Sequence, residues 1–169
     1  MDDYSDFLGT LHEGLRPAAA RFLHWLGQTE DRSLLVLRSQ LLVEEQLREA
    51  LAILILAPQY LSLDRLSFYR LLRLFQAISG AEDANASIRF LYGLNKLRND
   101  IAHNLEVEQL ESRMAELTSI IAPRVDTRIA PEHKVPYLFS LSVSFVAGWI
   151  ASFHLSSNGE ESEVKQSAP

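Results

Sequence analysis

At 169 residues the chain has the length of one domain, long enough to bury a core without staples. The absence of Cys excludes a disulfide framework, a thiol nucleophile and a thiolate zinc site, and it fits a reducing compartment, so a cytoplasmic setting is the simplest expectation. A net charge of −6 argues against a general nucleic-acid-binding surface, although Arg65 to Arg98 holds six basic residues against two acidic ones and leaves room for a small RNA contact.

In chain order, Met1-Asp2-Asp3-Tyr4 opens acidic where an export signal would be basic, so export is not expected. The first periodic segment, about Asp6 to Gln28, carries Leu8, Leu11, Leu15, Ala18, Phe22 and Trp25 at helical spacing. Pro17 predicts a kink there, or a division into two short helices. The second, about Asp31 to Ala57, repeats the stripe with Val36, Val43, Leu47, Ala50 and Leu54 and closes at Pro58. A third helix is expected from Asp64, as N-cap, to Ile78, with Ser79-Gly80 as its stop.

The fourth segment starts near Asp83 or Asn85 and aligns Phe90, Leu94, Leu97 and Ile101 on one face. The fifth, about Glu106 to Ile121, aligns Val107, Leu110, Met114, Leu117 and Ile121 and ends before Pro123. The sixth is expected from Pro131 to about Leu155. Its stretch from Val135 to Leu155 has no Asp, Glu, Lys or Arg, which suits either a membrane span or the centre of a bundle; four serines, Gly148 and His154 favour the bundle.

No alternating strand pattern or internal repeat stands out, so the fold class read from the sequence is all-α. The expected architecture is a single helical bundle of five to six helices over residues 1–155, followed by a disordered acidic tail, 156–169.

The segment Arg98-Asn99-Asp100-Ile101-Ala102-His103 concentrates polar groups at the end of an apolar-striped helix. Asn99 and His103 stand four apart, on one face, with Glu106 a turn further on if the helix continues. An amide or carboxylate beside an imidazole fixes which ring nitrogen carries the proton, as general acid or base work requires. Arg98 is about 140° round from His103 on an ideal helix, so the two converge through the length of Arg, a distortion or a second copy. Once converged, a guanidinium stabilises the charge of a phosphoryl transition state while the imidazole moves a proton. The competing reading is a surface Arg paired with Asp100 or Glu106, and a His at the positively favoured helix C-terminus.

A helical bundle whose late helix carries Arg, a polar residue and then His after four intervening residues resembles the HEPN superfamily. Arg98, Asn99 and His103 match its motif in type and order. The resemblance implies a four- or five-helix bundle acting as a homodimer. In many members it further implies a metal-independent endoribonuclease of toxin–antitoxin or defence systems, without a cofactor. His103 would then be the acid/base, Arg98 the phosphate stabiliser and Asn99 the orienting group. Leu105 stands where toxins paired with nucleotidyltransferase antitoxins usually carry Tyr, which sets this chain apart from that subgroup.

The chain also resembles mannitol-operon-repressor-like proteins, which implies the alternative of a non-catalytic transcriptional regulator or protein-interaction module. Its partner would be a regulatory protein where the toxin's would be an antitoxin. Around the motif, Lys96, Arg73 and Arg70 are the candidate RNA contacts, against the plainer reading of a solvated stripe. Glu44 and Glu45 are carboxylates that either reach the site or form the wet face of their helix. His12, His24, His133 and His154 have no ligand spacing, so no metal site is expected, and no Gly-rich phosphate loop is present.

Overall fold

The computed structural model describes Ala20, His24 and residues 31–103, 107–121 and 135–166. The first segment, with its Pro17, and the 122–134 linker lie outside the described residues, apart from Ala20 and His24, which are helical. All regular structure among the described residues is helical: α1 (Arg32–Leu54), α2 (Phe68–Ser79), α3 (Ala86–Ala102), α4 (Val107–Ile121) and α5 (Val135–Gln166), with two short 3₁₀ turns, Pro58–Tyr60 and Leu63–Arg65, between α1 and α2.

Local chemistry sets the ends. The Asp31 carboxylate accepts the Leu34 N–H at 3.0 Å and starts α1, and Asn85 does the same for Ser87 at 2.8 Å at the start of α3. Gly80 closes α2 in the left-handed region, φ 70°, its N–H reaching Gln76 O at 2.9 Å. Asp64 does not begin α2 as expected. It belongs to the 3₁₀ turn, and the helix starts four residues later, after Ser67. The turn is tied back to α1 by Arg48 Nε, which donates to Leu63 O at 3.2 Å.

The core draws one stripe from every helix. Val36, Val43, Leu47 and Leu51 of α1, Leu71, Leu72 and Phe75 of α2, and Ile88, Phe90, Leu91 and Leu94 of α3 are buried together with Leu110, Met114 and Ile121 of α4. α1 packs against α2, α3 and α5, while α4 lies between α3 and α5. An aromatic cluster joins α2 to α5: the Phe75 ring meets Trp149 at 5.7 Å and Phe153 at 5.2 Å, both edge-on.

α5 behaves as the bundle's inner helix. Phe139, Leu141, Val143, Val146, Ala147 and Ile150 are buried, and so are Ser140, Ser142 and Ser144. Ser142 and Ser144 return their hydroxyls to the carbonyls of Leu138 and Ser140, both at 2.9 Å, so neither asks a neighbouring helix for a partner. Among the described residues no helix is long and apolar enough to cross a membrane.

The polar segment from Ser156, expected to be irregular, continues α5 as helical backbone to Gln166. Glu160, Glu161, Glu163, Lys165 and Gln166 are good helix formers, and extending an established helix needs no further burial.

Candidate functional site

No Asp, Glu, Lys or Arg is buried among the described residues; the buried polar side chains are hydroxyls and carboxamides. Charge-bearing chemistry is therefore confined to surface clefts, and α3 serves two of them from opposite sides. Positions 95, 98 and 99 turn toward α1 and the start of α2, whereas 89, 93, 96 and 100 turn toward α4.

The first cleft, a cavity of about 360 Å³, is where Arg98 and Asn99 lie. Its walls are Gln40 and Glu44 of α1, Ser67 with Phe68 and Tyr69 from the entry to α2, and Asn95 with the motif pair from α3. Arg98 Nη1 donates to Asn99 Oδ1 at 3.3 Å. Gln40 and Asn95, 55 residues apart, meet as Nε2 to Oδ1 at 3.4 Å across the α1–α3 seam. Glu44 is ion-paired with Arg48 one turn along α1, so its charge is already compensated where it faces the cleft. Ser67, the N-cap of α2, makes no side-chain capping bond, and Tyr69 is 53% exposed.

His103 is not part of this wall. It is the C-cap of α3, exposed, with backbone φ −104° and ψ 25°, and its N–H turns back to Asp100 O at 3.0 Å. The helix thus ends at Ala102 and does not carry the Asn99–His103 face onward. Glu106 lies outside the described residues, and Arg98 forms no ion pair with Asp100.

The remaining sequence candidates disperse. Lys96 lines the second cleft, a cavity of about 180 Å³ between α3 and α4, with Arg89 and Asp100 on one rim and Arg113, bonded to Glu116 at 3.1 Å, on the other. Arg73 faces a third surface, where its Nη1 meets Tyr92 Oη at 3.4 Å and Asp83 at 3.6 Å. The Tyr92 hydroxyl, helped by Asp83 and Tyr69, pushes that guanidinium above its ordinary range, so it stays charged throughout the useful pH range. Arg70 is exposed on α2. Arg98, the Arg89–Lys96 pair and Arg73 therefore line three different clefts.

The sequence does not single out Gln40, Ser67, Phe68, Tyr69 or Asn95 as cleft residues. Gln40 and Asn95 are single carboxamides on long helices, and only the packing of α1 on α3 brings them together. Tyr69 could have been suspected from its position on the polar side of the Phe68–Phe75 stripe. Comparison with protein-family models, curated proteins and solved structures finds no match for the chain.

Proposed function

We propose that this chain is a HEPN-type RNA-binding or RNA-cleaving domain that works as a homodimer, with Arg98, Asn99 and His103 as its working residues. The observation that carries the reading is the pairing of Arg98 with Asn99 at the rim of a polar cleft, one helical turn before the exposed His103. Within one chain His103 stands outside the cleft. A second copy placed with its α3 end against the first would set one His103 beside the other's Arg98.

The chemistry is transesterification within the RNA. His103 accepts the proton of a 2′-hydroxyl, the 2′-oxygen attacks the adjacent phosphorus, and the bond to the 5′-oxygen breaks. The products are a 2′,3′-cyclic phosphate and a 5′-hydroxyl, whose proton is returned by an imidazolium or by water. Arg98 neutralises the phosphoryl oxygens as charge builds on them, and Asn99 holds the guanidinium in place through the observed hydrogen bond. A toxin or defence component, held by a protein antitoxin, is the corresponding biological setting.

One observation favours a second reading, a regulator or protein-interaction module. Ile53, Leu56, Tyr60 and Leu61 are each exposed, at the end of α1 and in the turn that follows, Leu56 at 102% and Tyr60 at 86%. In that reading Arg98 and His103 are surface contacts.

The test is cleavage of labelled RNA by the full chain in EDTA, with His103→Ala and Arg98→Ala beside it. The nuclease reading expects cyclic-phosphate ends from the wild type and a loss of about 10²-fold or more in each folded variant. Equal, background-level cleavage by all three overturns it and leaves the interaction module.

A further inference from the structure

Beyond the motif itself, we infer that the Arg98 cleft is a pocket for one unpaired nucleobase, stacked on Tyr69 and read along its edge by Gln40, Asn95 and Asn99. The inference rests on the RNA reading above and deepens it, because it makes the bound substrate single-stranded.

The Tyr69 ring has the placement that stacking needs. One side rests on Tyr92, with centroids 5.9 Å apart and planes at 51°, and about half of the residue remains open to solvent on the cleft wall. A lone exposed aromatic has no special meaning. Here it shares the cleft wall with three carboxamides, which is the chemistry that reads base edges.

The pair Gln40–Asn95 is the most informative part. Gln40 is only 8% exposed, yet the one hydrogen bond of its side chain among the described residues is the 3.4 Å contact to Asn95. Each carboxamide carries an acceptor oxygen and a donor NH₂, so that mutual bond uses one acceptor and one donor. Whichever way round the two amides lie, the oxygen of one and the NH₂ of the other take no part in that bond, and both residues line the cleft. A base presents both donors and acceptors along its Watson–Crick edge, which amide groups of this kind can pair with. A bound base would satisfy amide groups of the buried Gln40 and the half-buried Asn95 that no hydrogen bond among the described residues uses.

The charges agree with a nucleotide. Arg98 spends one contact on Asn99 and keeps other N–H groups for a phosphate, while the Glu44 carboxylate is already neutralised by Arg48. At about 360 Å³ the cavity is within the small-ligand range of about 300–1,000 Å³. A base inside a duplex cannot enter such a recess without leaving its stack.

The experiment measures binding of a labelled single-stranded oligoribonucleotide and the corresponding duplex to the full chain carrying His103→Ala, which keeps the RNA intact. Tyr69→Ala and Tyr69→Phe are added in that background. A second arm titrates the four nucleoside monophosphates into wild type and Tyr69→Ala, followed by NMR of the tyrosine ring protons.

Stacking predicts that Tyr69→Ala weakens single-strand binding about ten-fold or more while Tyr69→Phe stays close to the parent. Asn95→Asp, which exchanges donor for acceptor, should reorder the preference among the four monophosphates. Equal binding by Tyr69→Ala, or duplex bound as tightly as single strand, overturns the base pocket even where wild type still cuts RNA. Monophosphates that shift the Tyr69 ring in a chain that cuts no RNA sustain the pocket and overturn the nuclease reading. No shift with any monophosphate overturns the pocket irrespective of cleavage.

Discussion

Gly93 on α3 faces Leu117 on α4 so closely that a Cβ added to it would stand 2.1 Å from Leu117 Cδ2. The glycine is helical, so its value here is the space it leaves for a buried leucine. A methyl group at 93 would gain helix propensity of about 1 kcal/mol but force Leu117 to turn. Gly93→Ala is therefore expected to be neutral or mildly destabilising in the wild type and stabilising, by about 1 kcal/mol, in a Leu117→Ala background. Urea denaturation of the four proteins of this cycle checks the sign, and additive effects would show that α3 and α4 do not meet there.

Tyr92 and Gln76 form a second link, between α3 and α2. The Tyr92 hydroxyl donates to Gln76 Oε1 at 2.6 Å, and Gln76 Nε2 donates in turn to Asp83 Oδ1 at 2.9 Å and to Ala81 O at 3.3 Å. Gln76 is buried, so Tyr92→Phe strands its oxygen and should cost about 1–3 kcal/mol. Replacing both partners, as Tyr92→Phe with Gln76→Met, should cost less than the sum of the singles. A sum that is simply additive would mean water already serves Gln76.

The dispersal of the cations has a measurable signature. If RNA is held through Arg98, the slope of log affinity against log salt should be shallow, about −0.7 for each phosphate contacted on a single strand. A slope of about −3 or steeper would require Arg89 and Lys96, which share the α3–α4 cleft, and a further cation to join Arg98 on one RNA track. Titration of the binding constant between low and physiological salt decides between them.

Much of the fold was legible because its punctuation is chemical. Asp31, Asn85 and Gly80 act where their side chains or backbone freedom predict, and the Leu110, Met114, Leu117 and Ile121 stripe of α4 is buried as its spacing implies. Asp64 misled because a carboxylate before an apolar run looks like a cap, while Arg65 and Leu66 complete a 3₁₀ turn first. The site was legible only in part. Arg98 and Asn99 announce themselves as neighbours, whereas Gln40, Tyr69 and Asn95 belong to three different helices and meet only after those helices pack. Arg98 and Lys96 line different clefts for a related reason: neighbours in sequence on a helix are about 100° apart in space.

The serines of α5 bear on how the bundle assembles. Because Ser142 and Ser144 close their hydrogen bonds within their own helix, α5 makes no directional demand on α1 or α4 through them. Its seat is chosen by shape, with Phe139 against Phe90 at one level and Trp149 against Phe75 at another. The two aromatic steps thus act as the notches of a key, selecting a depth of insertion that the Ser142 and Ser144 hydroxyls do not set.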